Sequence, residues 1–269
     1  MTAPASGGTI VWLGGWSMPA SAMLRLTEQL PECRHVLVEL GQAESQASMW
    51  RLAQGAVSRE RCRLADDAGG GGGRSRAPLV LAGWSLGGLL ALRLAADGHG
   101  DGLVLLAGTA CFVRSQAEAD RGWSDAVVRR MGERLLRDRA EARFRDQMFT
   151  PEEREAGLPG LLPPAGAWPL AALDAGLRIL REEDLRCRLP DIEVPALIVH
   201  GAEDRICPYA AAVELAEAMS DARLLSLADC GHAPFLGREE QVAQEWRRWR
   251  HGKLDGIDRT PVRPQRGSL

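Results

Sequence analysis

Lysine is nearly missing from this chain. Lys253 is the only one among 33 basic residues, so arginine carries the positive charge. Acidic residues number 36, and the formal net charge of -3 offers no global attraction to nucleic acid or to an anionic membrane. Long apolar runs are missing too: none approaches the roughly 20 residues that span a bilayer. The first residues, Met1, Thr2, Ala3, Pro4, Ala5 and Ser6, do not combine a basic segment with an apolar core, so no signal peptide is expected. The six cysteines (Cys33, Cys62, Cys111, Cys187, Cys207, Cys230) show no C-x-x-C spacing. That excludes a zinc-ribbon or disulfide-framework reading and predicts reduced, structural thiols in a cytoplasmic protein. The glycine run 69–73 lacks the Lys-Ser/Thr ending of a phosphate-binding loop and reads, with its flanks over 66–76, as a loose surface connector.

What is present is a 45% hydrophobic chain of 269 residues, enough for one substantial core. Its most informative stretch is Leu79-Val80-Leu81-Ala82-Gly83-Trp84-Ser85-Leu86-Gly87-Gly88. An apolar strand leads into a tight turn, and good helix formers follow. The turn is G-x-S-x-G, in which a strained serine is raised at a helix N-terminus and its neighbours two residues away must be small. There the helix dipole and free backbone N–H groups favour developing negative charge.

The order of the remaining elements fits one scaffold. Strands are expected over 9–13, 35–39, 79–82, 103–107, 196–200 and 222–227. Helices are expected over 20–30, 45–64, from Gly88 onward, and at 241–250. Between 114 and 181 strand-like runs stop and arginine-rich helical segments (123–136, 140–148, 170–180) take over, broken by the prolines of 158–169. The pattern predicts an α/β fold: a mostly parallel central sheet flanked by helices, with an inserted helical cap. The expected division is 1–112 core, 113–190 cap, 191–251 core, and 252–269 a disordered tail.

A serine hydroxyl needs a base, and the base needs an orienting acid. Asp204 and His232 each follow a late predicted strand, in the Ser–Asp–His chain order of α/β-hydrolases. Ser85, Asp204 and His232 are therefore the expected triad. Asp229 is the rival acid, set back because it lies three residues from His232 in one loop, and Glu203 points to the opposite side of an extended strand end. His35, His99, His200 and His251 read as polar surface or, for His200 at a strand end, as a satisfied core residue. The loop Gly14-Gly15-Trp16 after the first strand sits where α/β-hydrolases supply one oxyanion-hole N–H.

The chain resembles the pimeloyl-[acyl-carrier protein] methyl ester esterases of biotin synthesis, within the α/β-hydrolases. The likeness rests on Gly15-Trp16, the turn around Ser85, Cys111-Phe112, Gly176-Leu177-Arg178-Ile179-Leu180 with Asp184-Leu185-Arg186 following, and His232-Ala233-Pro234-Phe235. It runs from about residue 9 to 250. Gly14 stands where the family usually has histidine, the initial strand or hairpin is shortened or missing, and the glycine run is extra. The resemblance implies hydrolysis of a methyl-capped pimeloyl chain on an acyl-carrier protein, by a cytoplasmic monomer without metal or other cofactor. It implies oxyanion-hole N–H groups from Trp16 and Leu86, substrate contacts from Trp16, Trp84, Leu86 and Phe112, and in the cap from Leu136, Arg137, Arg139, Ala140, Arg143 and Phe144. The cap arginines Arg121, Arg129, Arg130, Arg134, Arg137, Arg139, Arg143 and Arg145 suit an acidic carrier, although interleaved acids can equally pair with them on the helices. A generalist carboxylesterase, a lyase or carbon–carbon hydrolase, and a non-catalytic binding protein share this scaffold and stay open, because the fold does not choose the reaction.

Overall fold

The apolar runs form six strands: β1 (Thr9–Leu13), β2 (Arg34–Val38), β3 (Leu79–Trp84), β4 (Gly102–Leu106), β5 (Ala196–Gly201) and β6 (Ala222–Leu227). All neighbouring pairs are parallel, in the order β2-β1-β3-β4-β5-β6. β1, β3, β4 and β5 are buried at every position. Both their faces are covered, so their sequences are continuous apolar runs rather than alternating ones. The edge strands β2 and β6 are only partly buried. The computed structural model describes residues 7–69, 76–138 and 141–255.

Nine helices occur among the described residues. They are α1 (Leu24–Glu28), α2 (Gln46–Gly69), α3 (Leu86–Ala96), α4 (Asp125–Asp138), α5 (Glu141–Asp146), α6 (Pro151–Glu155), α7 (Leu170–Glu182), α8 (Tyr209–Ala218) and α9 (Glu239–Lys253). The α/β-hydrolase architecture read from the sequence is the one observed.

Three local differences stand out. The helix expected over 20–30 is a 3-10 turn (Ala20–Met23) followed by the short α1. The second helix does not stop at Leu64 but continues to Gly69, taking in the start of the expected connector. Its last turns carry no apolar stripe to announce them and are supported by ion pairs from Arg63 to Glu60 and Asp67, at i−3 and i+4. The rest of the connector, 70–75, lies outside the described residues. The alanine-rich α8 was not expected, because its small apolar residues give no clear period.

The chain reverses direction across the sheet at β1. From there it goes to β2 on one side and returns through α2 to β3 on the other. Ligands of open parallel sheets bind beyond the carboxyl ends of the strands that flank such a switch point. Here those ends are Leu13 of β1 and Gly83 of β3, which are register partners. Helices α4 to α7 lie between β4 and β5 in sequence, where the cap was expected. The tail stays helical to Lys253, and 256–269 lie outside the described residues.

Candidate active site

Backbone strain marks the site before any side chain is considered. Four described non-glycine residues have positive φ: Ser17, Ser85, Ala107 and Asp229. They follow β1, β3, β4 and β6 respectively, all on the carboxyl side of the sheet, and each left-handed non-glycine residue costs on the order of 1 kcal/mol or more. Ser85 has φ 55 and ψ -115. The turn closes so tightly that a Cβ on Gly83 would lie 2.2 Å from the Gly87 carbonyl oxygen. One on Gly87 would lie 1.9 Å from that of Leu13. The same contact presses the start of α3 against the start of the Gly14-Gly15-Trp16 loop. Leu86 opens α3, so its N–H is one of the free donors at a helix N-terminus. The two expected oxyanion donors, Trp16 and Leu86, therefore come from abutting loops.

Asp204 and His232 are brought together across the two last loops. His232 Nδ1 donates to Asp204 Oδ2 at 2.8 Å, with both side chains buried. Asp204 Oδ1 accepts the N–H groups of Ile206 (2.8 Å) and Cys207 (2.9 Å). Burial by itself would raise the Asp204 carboxyl. The electrostatic influence of the adjoining His232 and the hydrogen bonds from His200 and His232 outweigh it and hold the group far below the usual carboxylate range. The acid is thus ionised and fully committed. The other ring nitrogen, His232 Nε2, is buried and has no hydrogen-bond partner among the described residues, Ser85 included. The Ser85 side chain lies against the Cys207 thiol, which burial pushes well above its ordinary value and keeps protonated.

The rival acids point elsewhere: Asp229 and Glu203 are exposed. His200 is fully buried at the end of β5, but not as an isolated core residue. Its Nε2 lies 2.7 Å from the Cys207 carbonyl oxygen and 3.3 Å from Asp204 Oδ2, braced between the two ends of the acid loop.

The expected substrate contacts divide. Trp84 is completely buried beneath the site. Its Nε1 donates to the His232 carbonyl at 2.8 Å and its ring packs edge-on against Phe235. Leu86 is likewise fully buried, and Phe112 stacks on Trp123. Trp16 donates to the Leu173 carbonyl of α7 and meets Phe144 of α5 edge-to-face at 5.1 Å. Gly176 of α7 is the point of closest approach: a Cβ there would lie 2.7 Å from the Trp16 ring and 3.0 Å from Leu86. The Gly176–Leu180 run singled out in the sequence is thus where the cap seats on both expected oxyanion residues. Arg139, Ala140 and the side chains of Leu136, Arg137 and Arg143 lie outside the described residues.

Other cap arginines are occupied. Arg121 pairs with Glu214, and Arg129 with Asp125. Arg145 is buried, bonded to the carbonyls of Ser17 and Pro163, and therefore does not face a partner protein. Arg130 and Arg134 are exposed. Sequence reasoning named Arg145 only as a cap arginine suited to a carrier, and it missed Glu153. For Glu153 the signal was there, since Thr150-Pro151-Glu152-Glu153 is a capping-box pattern.

The model of the "Alpha/beta hydrolase family" matches residues 10–245. A pimeloyl-[acyl-carrier protein] methyl ester esterase of Nitrosomonas europaea is 40% identical over 167 residues, 59% of this chain and 66% of that protein. One of Xanthomonas oryzae pv. oryzae is 34% identical over 257 residues, 90% of this chain and 95% of that protein. Among solved structures, an esterase from Exiguobacterium antarcticum superposes with a TM-score of 0.70 at 23% identity, covering 90% of this chain and 91% of that one. A bromoperoxidase from Bacillus anthracis gives the same TM-score at 17% identity, covering 90% and 92%. At such identities the structures share the fold alone. The sequence relatives go further: the chain belongs to the α/β-hydrolase family and, within it, to the family of the pimeloyl-[acyl-carrier protein] methyl ester esterases.

Proposed function

We propose that this chain is a serine carboxylesterase that removes the methyl group from a pimeloyl methyl ester carried on an acyl-carrier protein, in biotin synthesis. The observation that carries the reading is the near full-length relation to a protein of that name, joined to the buried Asp204–His232 pair and the strained elbow serine. Ser85 Oγ attacks the ester carbonyl as His232 Nε2 takes its proton. Asp204 holds the imidazole with Nδ1 as donor and stabilises the imidazolium. The Trp16 and Leu86 N–H groups receive the oxyanion. His232 then protonates the departing methoxide, and methanol leaves. A water deprotonated by His232 attacks the acyl-enzyme and frees the carboxylate, restoring Ser85. Every proton passes between Ser85, His232, methanol and water, so the protein's own groups complete the cycle. The enzyme is read as a cytoplasmic monomer whose carrier docks on the cap arginines.

The test compares kcat/KM on methyl-pimeloyl carrier with that on a short p-nitrophenyl ester. It is made for the wild type and for a variant with Arg137, Arg139 and Arg143 all changed to glutamate, at low and moderate salt. The carrier-bound rate is expected to fall far more than the free-ester rate, and to be the more salt-sensitive. An unchanged ratio removes these arginines from carrier docking. A wild type with no preference for the carrier-bound ester is a generalist esterase.

A further inference from the structure

The loop that carries His232 is held from the cap as well as from the sheet. His232 N–H donates to the Met148 carbonyl at 2.7 Å. The preceding N–H, of Gly231, donates to Glu153 Oε2 at 3.1 Å. Glu153 Oε1 takes Arg238 Nη1 at 2.8 Å, and Arg238 Nη2 reaches back to the Asp229 carbonyl at 2.9 Å. Glu153 is only 4% exposed.

Locally Glu153 completes a capping box. Its Oε2 accepts the Thr150 N–H, and Thr150 Oγ1 accepts the Glu153 N–H. A capping box needs nothing more than that pair. Here the same oxygen also takes the amide adjoining the catalytic histidine, and the other oxygen takes the arginine that closes the loop. The fit leaves no slack, because a Cβ on Gly231 would lie 2.3 Å from the Met148 oxygen and 3.0 Å from Glu153 Oε2. A buried carboxylate is costly unless every lone pair is used, and these are used on the loop whose position sets the 2.8 Å Asp204–His232 contact.

We propose that Glu153 is a positioning residue for His232: held at the first turn of α6, its carboxylate fixes the loop 229–232 and ties the histidine to the cap. The inference rests on the triad reading, not on the carrier-bound substrate. Displacement of reacting groups by about 1 Å costs about a hundredfold in rate, so loosening this loop acts on kcat.

The experiment compares Glu153→Ala, Glu153→Gln, Glu153→Asp and Thr150→Ala with wild type, using a short p-nitrophenyl ester and thermal melts. Both alanine variants lose the capping box, and each is expected to lower Tm by about 2–4 °C. Only Glu153→Ala is expected to lower kcat, by about 10- to 100-fold with KM within about threefold. Glu153→Gln keeps an acceptor for the Gly231 N–H and recovers most of kcat. Glu153→Asp keeps the charge but withdraws the oxygen, and loses about 3- to 10-fold in kcat even should Glu153→Ala fail to fold. A second readout needs no substrate: the low-field proton resonance of His232 Nδ1–H persists in Thr150→Ala and broadens or vanishes in Glu153→Asp. Unchanged kcat and an unchanged resonance in Glu153→Asp overturn the proposal, as does a Thr150→Ala variant that loses as much kcat as Glu153→Ala. A wild type inert toward esters defeats the hydrolase reading instead, and the resonance still decides the role of Glu153.

Discussion

The serine side and the histidine side of this site are built by opposite means. Ser85 is posed by its own neighbourhood, a strand end, two glycines and a helix start within a few residues. His232 depends on residues scattered over the chain: Trp84 on its carbonyl, Met148 on its amide, Glu153 on the amide before it, and Asp204 on its ring. A nucleophile that must be strained gains from a short, stiff turn. A base that must accept and return a proton is better held by a ring of bonds, each of which can be removed singly.

Substitutions can break or sharpen this contrast. The largest effect is expected from Ser85→Ala, which should cut ester turnover by on the order of 10⁴–10⁶ with little change in melting temperature. Asp204→Asn should follow at about 10⁴, because the amide favours the wrong His232 tautomer, whereas the exposed Asp229→Asn should stay near wild type. The Asp204 substitution also has a pH signature. Its carboxyl is depressed in the fold, so its contribution to stability is complete above the unfolded value of about 4 and drains away as pH falls toward the lower folded value. The Tm gap between wild type and Asp204→Asn should therefore narrow below pH of about 4.

Arg145→Met asks to which side the proposed oxyanion loop belongs. Arg145 of α5 holds the Ser17 carbonyl, and Phe144 packs on Trp16. If the cap supports this loop as it supports the histidine, kcat should drop about tenfold, well short of the hundredfold or more for deleting an oxyanion donor itself. A rate within twofold would leave the loop with the self-sufficient side. Trp84→Phe leaves the buried His232 carbonyl without its donor and should lower stability by about 1–3 kcal/mol, read by denaturant melts, with a few-fold loss of kcat. The smallest effect is expected from deleting Gly70, Gly71, Gly72 and Gly73, which lie outside the described residues and read from the sequence as a surface connector. Closure entropy changes only logarithmically with loop length, so stability should move by about 0.5 kcal/mol or less.

The contrast also explains which features could be read in advance. Apolar runs announced the four inner strands, β1, β3, β4 and β5, since strands buried on both faces of a parallel sheet admit little else. The elbow was legible because its pattern falls within five residues, although the contact that bars a side chain at Gly87 comes from Leu13. Asp204 and His232 were found by order and placement after strands. The end of α2 was hidden because ion pairs, not an apolar stripe, sustain it. Trp84 looked like a pocket residue and is a buried strut under His232, a role that only its partner 148 residues away defines.

The chain alone therefore carried the fold and pointed to Ser85, Asp204 and His232 as the proposed triad, because strand burial and tight turns are matters of neighbouring residues. Which carboxylate meets which partner was settled in three dimensions. Asp204 reaches His232, Glu153 reaches Gly231 and Arg145 reaches Ser17 across gaps of 28, 78 and 128 residues. Such pairs form only once the sheet order has brought distant loops to one edge, where burial makes each unpaired polar group too costly to leave.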